Sequence, residues 1–141
     1  MSRRLARQTA LQILFEIDVG KNEAETALTF RLSEVTLEPR DSDFVRRVVL
    51  GVGEHIKELD QIIDTFAKDW RTDRMSNVDR NILRFAIFEI CFMKEIDVKI
   101  SINEAVELAK KFSDSASPKF INGILGAVVA SLGDVVNDKE S

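Results

Sequence analysis

Three arginines open the chain, at positions 3, 4 and 7, and no carboxylate follows until Glu16. Guanidinium groups match phosphate oxygens in a planar, bidentate geometry. At about 100° per residue, Phe15 falls roughly 170° from the centre of the apolar stripe formed by Ala6, Ala10, Ile13 and Ile17. This puts the ring beside Arg4, Gln8 and Leu11, on what should be the outer face of a helix. An aromatic among cations can stack on a base or anchor a protein contact. A second polar concentration is SINEAVELAKKFSDSASPKFINGIL, residues 101–125. Its carboxylates and serines raise the question of an active site, yet most have architectural readings. Ser101 with Glu104 reads as a capping box, Glu107 with Lys111 as an i,i+4 pair, and Ser117 before Pro118 as an N-cap followed by proline at N1. Lys119, Phe120 and Asn122 are left over.

Catalytic chemistry has little to work with. His55 is the only histidine, set within a helical pattern and away from any serine or cysteine motif, so a nucleophile–base device would need distant residues to converge. Glu104 and Glu107 could pair as carboxylates at i,i+3, but capping and Lys111 already account for them. One histidine and scattered acids give no metal-ligand spacing. Gly51, Gly53, Gly123 and Gly126 lie inside helical patterns and form no phosphate-cradling loop. Cys91, in FAIFEICFM, reads as a core thiol. Neither catalysis nor a cofactor is expected.

The totals fit one soluble domain. The chain has 141 residues, 45% hydrophobic and 31% charged, with net charge −4, long enough for a core without disulfide or metal. There is no run of ~18 apolar residues that would span a membrane and no secretory signal. A single cysteine suits a reducing cytoplasm. An acidic body does not itself suggest nucleic acid, but a local basic face can still hold a phosphate backbone.

Apolar spacing is helical almost throughout, which predicts an all-α fold of six to seven helices in two halves, residues 1–70 and 71–141. The first helix ends at Gly20. Asn22 to Glu25 reads as a capping box for the second. Pro39 should stop anything upstream, and Asp41 or Ser42 should cap one long third helix from Phe44 to Phe66. DWRTDRMS, residues 69–76, is the expected hinge. Ser76 caps the next helix, where Ile82, Ala86, Ile90 and Met93 form one ridge and Phe85, Phe88 and Phe92 another. A helix apolar on two sides should be packed on two sides. Ile121, Leu125, Val128 and Leu132 carry the last stripe.

Four segments also resemble a known family: RRLARQTALQILFEID (3–18), VDRNILRFAIFEI (78–90), INEAVELAKKF (102–112) and SPKFINGIL (117–125). Their order and spacing are similar to the successive motifs of the NusB family of transcription antitermination proteins. The resemblance implies an all-α fold of two helical bundles in a non-catalytic cytoplasmic protein. Its implied partners are boxA-type single-stranded RNA, a small-subunit ribosomal protein acting as NusE, and the RNA polymerase antitermination complex that transcribes ribosomal RNA operons. It implies RNA contacts at Arg3, Arg4, Arg7 and Phe15, and again at Lys119, Phe120 and Asn122. It places Phe15, Asp79 and Arg84 on the surface for the protein partner. Leu5 stands where some members carry a base, and Phe15 where many carry tyrosine. Two rival readings are a purely protein-binding helical adaptor and the RNA-binding domain of a ribosomal RNA methyltransferase, the latter requiring a further cofactor-binding domain.

Overall fold

The helical period does set the architecture. The computed structural model describes residues 2–67 and 75–140, with side chains described over 3–67 and 75–132. Among the described residues the regular structure is entirely helical: α1 (Ser2–Gly20), α2 (Ala24–Glu34), α3 (Pro39–Glu54), α4 (Ile56–Phe66), α5 (Asn77–Phe92), α6 (Val98–Phe112) and α7 (Ser117–Glu140). The chain forms two compact units, Met1–Ile56 and Lys57–Ser141. This division lies upstream of the 70/71 boundary expected from the sequence. Most of the expected hinge, residues 69–74, lies outside the described residues.

In the first unit α1 packs on both α2 and α3. Ala6 and Ala10 are fully buried with Ile13, and small side chains there let α1 approach the Phe44, Val45, Val48 and Val52 face of α3 closely. Each large apolar side chain buried in this way contributes about 1.5–3 kcal/mol. α1 ends at Gly20 as expected, and Lys21 turns the chain with φ 58°. Two expectations are corrected here. The α2 cap is Glu23, whose carboxylate accepts the Glu25 N–H at 3.2 Å, and not Asn22. Pro39 begins α3 instead of stopping its predecessor, because proline fits the first helical position where its missing N–H is not needed. The long third helix is also broken: His55 (φ −110°, ψ 20°) separates α3 from α4. Gly51 and Gly53 weaken the preceding turn, each costing ~1 kcal/mol against alanine in a helix interior.

In the second unit α5 packs against both α6 and α7. Residues 81–90 are all buried, so the two-ridge expectation holds except at its end, where Phe92 is exposed and stacks on Phe88 with ring centroids 5.3 Å apart. Ser76 caps α5 as expected, accepting the Asp79 N–H at 3.1 Å. α6 starts earlier than the Ser101–Glu104 box predicts. Asp97 is its cap, accepting the Lys99 N–H at 2.8 Å, and Ser101 is buried inside the first turn. Glu107 meets Lys110 at 3.6 Å one turn on.

Candidate nucleic-acid interface

α1 has no acid in its first turn, so Arg3, Arg4 and Arg7 sit toward the positive end of the helix macrodipole, against its field. Two of them are held by the α3 side of the same unit. Arg3 Nε donates to Asp41 Oδ1 at 2.9 Å, and its guanidinium lies 4.2 Å from the Phe44 ring centroid. Arg7 lies 5.3 Å from the same centroid and is only 4% exposed. Arg7 is thus part of the core, where the Phe44 ring gives its buried guanidinium a face to lie against. Asp41 is 1% exposed, and its Oδ2 has no hydrogen-bond partner. Its place in the first turn of α3 supplies a favourable helix dipole.

The opposite side of α1 is different. Arg4 is exposed, Phe15 is 36% exposed, and Leu5, Gln12 and Val19 are exposed with them. At ~100° per residue these five span about 100° of arc. The outward reading of Phe15 holds, while Leu11, expected beside it, turns inward and is buried. The neighbouring face is buttressed by Arg31 of α2, whose Nε donates to Glu16 at 2.6 Å. That bond holds the guanidinium's pKa above its ordinary value.

In the second unit, Lys119, Phe120 and Asn122 occupy the first two turns of α7, with Lys119 and Asn122 exposed and Phe120 half-buried. Phe120 lines an open hollow of about 320 Å³ with Met75, Ser76, Asp79, Asp114 and Ser117. Ser117 does not cap α7 as expected, since the Phe120 N–H bonds back to Ala116 O at 3.3 Å and puts Ser117 inside the helix. Its hydroxyl instead donates to Asp79 Oδ2 at 2.8 Å. The surface placement of Asp79 and Arg84 is corrected too: they are 7% and 5% exposed. Asp79 accepts from two serines, and Arg84 grips Asp60 of α4 through Nε and Nη2 at 2.7 and 2.8 Å. A carboxylate and a guanidinium placed that deep need internal partners, and they have them.

Among the described residues no group of three or more His, Cys, Asp and Glu side chains could hold a metal ion, and no helix is long and apolar enough to cross a membrane. Cys91 is half-buried, and burial raises its pKa above the usual thiol value, only partly offset by Lys94.

A cationic, ring-bearing α1 and a Lys-Phe-x-Asn start to α7 can be compared with known proteins. The family model described as the NusB family matches residues 4–130. The chain belongs to the NusB family. It is 48% identical over 129 residues to the transcription antitermination protein NusB of Desulforamulus reducens, covering 92% of this chain and 90% of that protein. It superposes on Thermotoga maritima NusB with a TM-score of 0.84 at 34% identity, covering 89% of each chain. It also superposes on a chain of the crystal structure of the antitermination factors NusB and NusE in complex with double-stranded RNA, with a TM-score of 0.83 at 27% identity, covering 92% of this chain and 97% of that one.

The all-α NusB-family fold is thus both observed and matched. From the sequence Asp41 reads only as a cap candidate and Phe44 only as a core position, and Ser113 is not singled out. Their partners lie 38, 41 and 34 positions away, at Arg3, Arg3 and Asp79, and local spacing carries no mark of such pairings. The one available hint was the lack of any acid near Arg3 and Arg7, which must find counter-charges elsewhere if they are buried.

Proposed function

We propose that this NusB-family chain is a non-catalytic RNA-binding adaptor. It holds boxA-type single-stranded RNA together with a small-subunit ribosomal protein acting as NusE, and so promotes processive transcription of ribosomal RNA operons by RNA polymerase in the cytoplasm. The observation that carries this reading is the exposed Arg4 and Phe15 on one face of α1, in a chain that matches the family from residue 4 to 130. A guanidinium draws the phosphate backbone, and a ring accepts any unpaired base by its π-face. Lys119, Phe120 and Asn122 repeat the combination of cation, ring and amide on α7. Arg3 and Arg7 add to the local positive potential while their side chains also serve the fold. The net charge of −4 opposes a strong electrostatic contribution, which suits an adaptor that gains affinity from a second protein. A related NusB has been solved with NusE and double-stranded RNA, which supports RNA and a NusE-type protein as the two classes of partner.

The test is a titration of labelled boxA-type single-stranded RNA, and of the matching duplex, with and without the ribosomal protein. Binding of the single strand, tightened by the protein, is expected. Arg4→Ala should reduce the log–log salt slope by about 0.7, the value for one phosphate contact on a single strand. No RNA binding in either condition refutes the reading. Binding of the ribosomal protein alone would favour the protein-only adaptor, for which the exposed Leu5 and Val19 beside Phe15 speak.

A further inference from the structure

We propose that Asp79 is a positioning residue for the start of α7: through two serine hydroxyls its buried carboxylate fixes the turn that presents Lys119, Phe120 and Asn122. The functional part of this inference rests on the RNA-binding reading above. Asp79 is itself well anchored, since its N–H is held by the Ser76 cap at 3.1 Å in the first turn of α5. Its Oδ1 accepts from Ser113 Oγ at 2.7 Å, and its Oδ2 from Ser117 Oγ at 2.8 Å. Ser113 is the C-cap of α6, and Ser117 is the first residue of α7. One carboxylate therefore grips both ends of the connection between these helices.

Each hydroxyl has one proton to give, and the two serine oxygens are themselves only 2.8 Å apart. Ser117 Oγ also lies 3.1 Å from Asp114 Oδ1, but Asp79 Oδ2 is the nearer carboxylate oxygen at 2.8 Å, so both hydroxyls meet the one Asp79 carboxylate at short range. The turn between has its own local support. Asp114 Oδ1 accepts the Ala116 N–H at 3.0 Å, and Asp114 O accepts the Ser117 N–H at 3.2 Å. What that local turn cannot do is tie α7 to α5; the Asp79 carboxylate does this. Phe120 follows Ser117 by three residues and so shares its side of the helix, lining the same hollow as Asp79. If Ser117 moves, the next two turns move with it. Apparent affinity then falls by the fraction of molecules whose α7 start is misplaced.

A merely structural Asp79 would lower stability and nothing else, so the test reads position. Anisotropy titrations with the single-stranded RNA, corrected for fraction folded, should show Asp79→Ala binding about tenfold weaker. Lys119→Ala should cost much less in the Asp79→Ala background than in the wild type, because coupled residues are non-additive. Arg4→Ala, in the other unit, should cost the same in both. Asp79→Asn should bind within about twofold of wild type, since an amide accepts from one serine and donates to the other. Additive Asp79 and Lys119 effects, or unchanged affinity in Asp79→Ala, overturn the proposal. Amide hydrogen exchange gives an RNA-independent arm. Exchange at Phe120 and Ile121 should accelerate more than at Ile87 in the α5 core, and an equal rise throughout the unit also overturns it. Should the wild type bind no RNA, the RNA-binding reading fails while exchange still decides the positioning. Should Asp79→Ala not fold, the Ser113→Ala/Ser117→Ala variant serves in its place with the same expected outcomes.

Discussion

Stripping charge from α1 is the obvious way to test RNA binding, and Arg3→Ala shows why the choice of arginine matters. The substitution removes one hydrogen bond between charged groups, at 2.9 Å to a carboxylate that is 1% exposed. Such bonds contribute about 1.5–3 kcal/mol. It also removes the guanidinium 4.2 Å from the Phe44 centroid, adding about 0.5–1 kcal/mol at a partly exposed site. Two effects reduce the sum. The Arg3 side chain is 40% exposed, so water screens the pair, and the α3 N-terminus continues to favour the Asp41 charge. The expected loss is about 2 kcal/mol. For a chain of this size that lowers Tm by roughly 6–8 °C, followed by circular dichroism at 222 nm. Arg4→Ala, on the exposed face, should melt within ~1 °C of wild type. The Arg3→Ala/Asp41→Ala double variant should be less destabilised than the sum of its singles, since the first change has already removed the second residue's partner. If Arg3→Ala melts with Arg4→Ala, or if the two losses simply add, then the Asp41 pair does not support the fold as argued. Weak RNA binding by an Arg3 or Arg7 variant would otherwise be misread as a lost phosphate contact.

Phe15→Ala should cost well under the ~3–5 kcal/mol of a buried phenyl, yet weaken RNA or partner binding by ~1–3 kcal/mol, seen in paired melts and titrations. Asp97→Ala should lose about 1 kcal/mol of stability as the true α6 cap. Ser101→Ala should be neutral or stabilising in the same urea melts, because the buried Ser101 hydroxyl has no hydrogen-bond partner and its removal abolishes a desolvation cost. Cys91 should react with a disulfide reagent more slowly than free cysteine at pH 7–8, its thiolate being scarcer there because burial raises its pKa. The rate should climb with pH.

How far the residues themselves announced this structure depends on the range of each interaction. The stripes of α1, α5 and α7 follow from a 3.6-residue period, and the Ser76 cap from a motif four residues long. Their placement holds except toward the helix ends, where Phe92 is exposed and Ile17 and Leu132 are only half-buried. Caps failed where two candidates lay within a few positions, as with Asn22 against Glu23 and Ser101 against Asp97, because both chemistries suit an N-terminus and tertiary fit chose between them. The break at His55 was foreshadowed only by Gly51 and Gly53, each tolerable inside a helix. At the candidate site, helical geometry found the exposed Phe15 but could not reveal that Arg7, Asp79 and Arg84 are buried. Burying a charge is decided by partners in other helices, and no local pattern encodes those. The NusB-family resemblance placed the motifs but did not say which of their polar side chains face inward.

The burial of residues 81–90 of α5 also bears on how the protein is made. A chain emerging from the ribosome completes its first unit at Ile56, with every packing partner already in hand. The second unit cannot follow that pattern. Its central helix appears before α6 and α7, the two helices it packs against, and the last buried side chain among the described residues is Val128. At ~5–20 residues per second, translation from Lys57 to Val128 takes roughly 4–14 s. For much of that interval a ten-residue segment bearing Ile82, Leu83, Phe85, Ile87 and Phe88 lacks α6 and α7, with only α4 of its own unit's described helices made before it. Nascent-chain chaperones should therefore engage α5 above all other segments, and slowed translation between residues 92 and 128 should raise aggregation of the product.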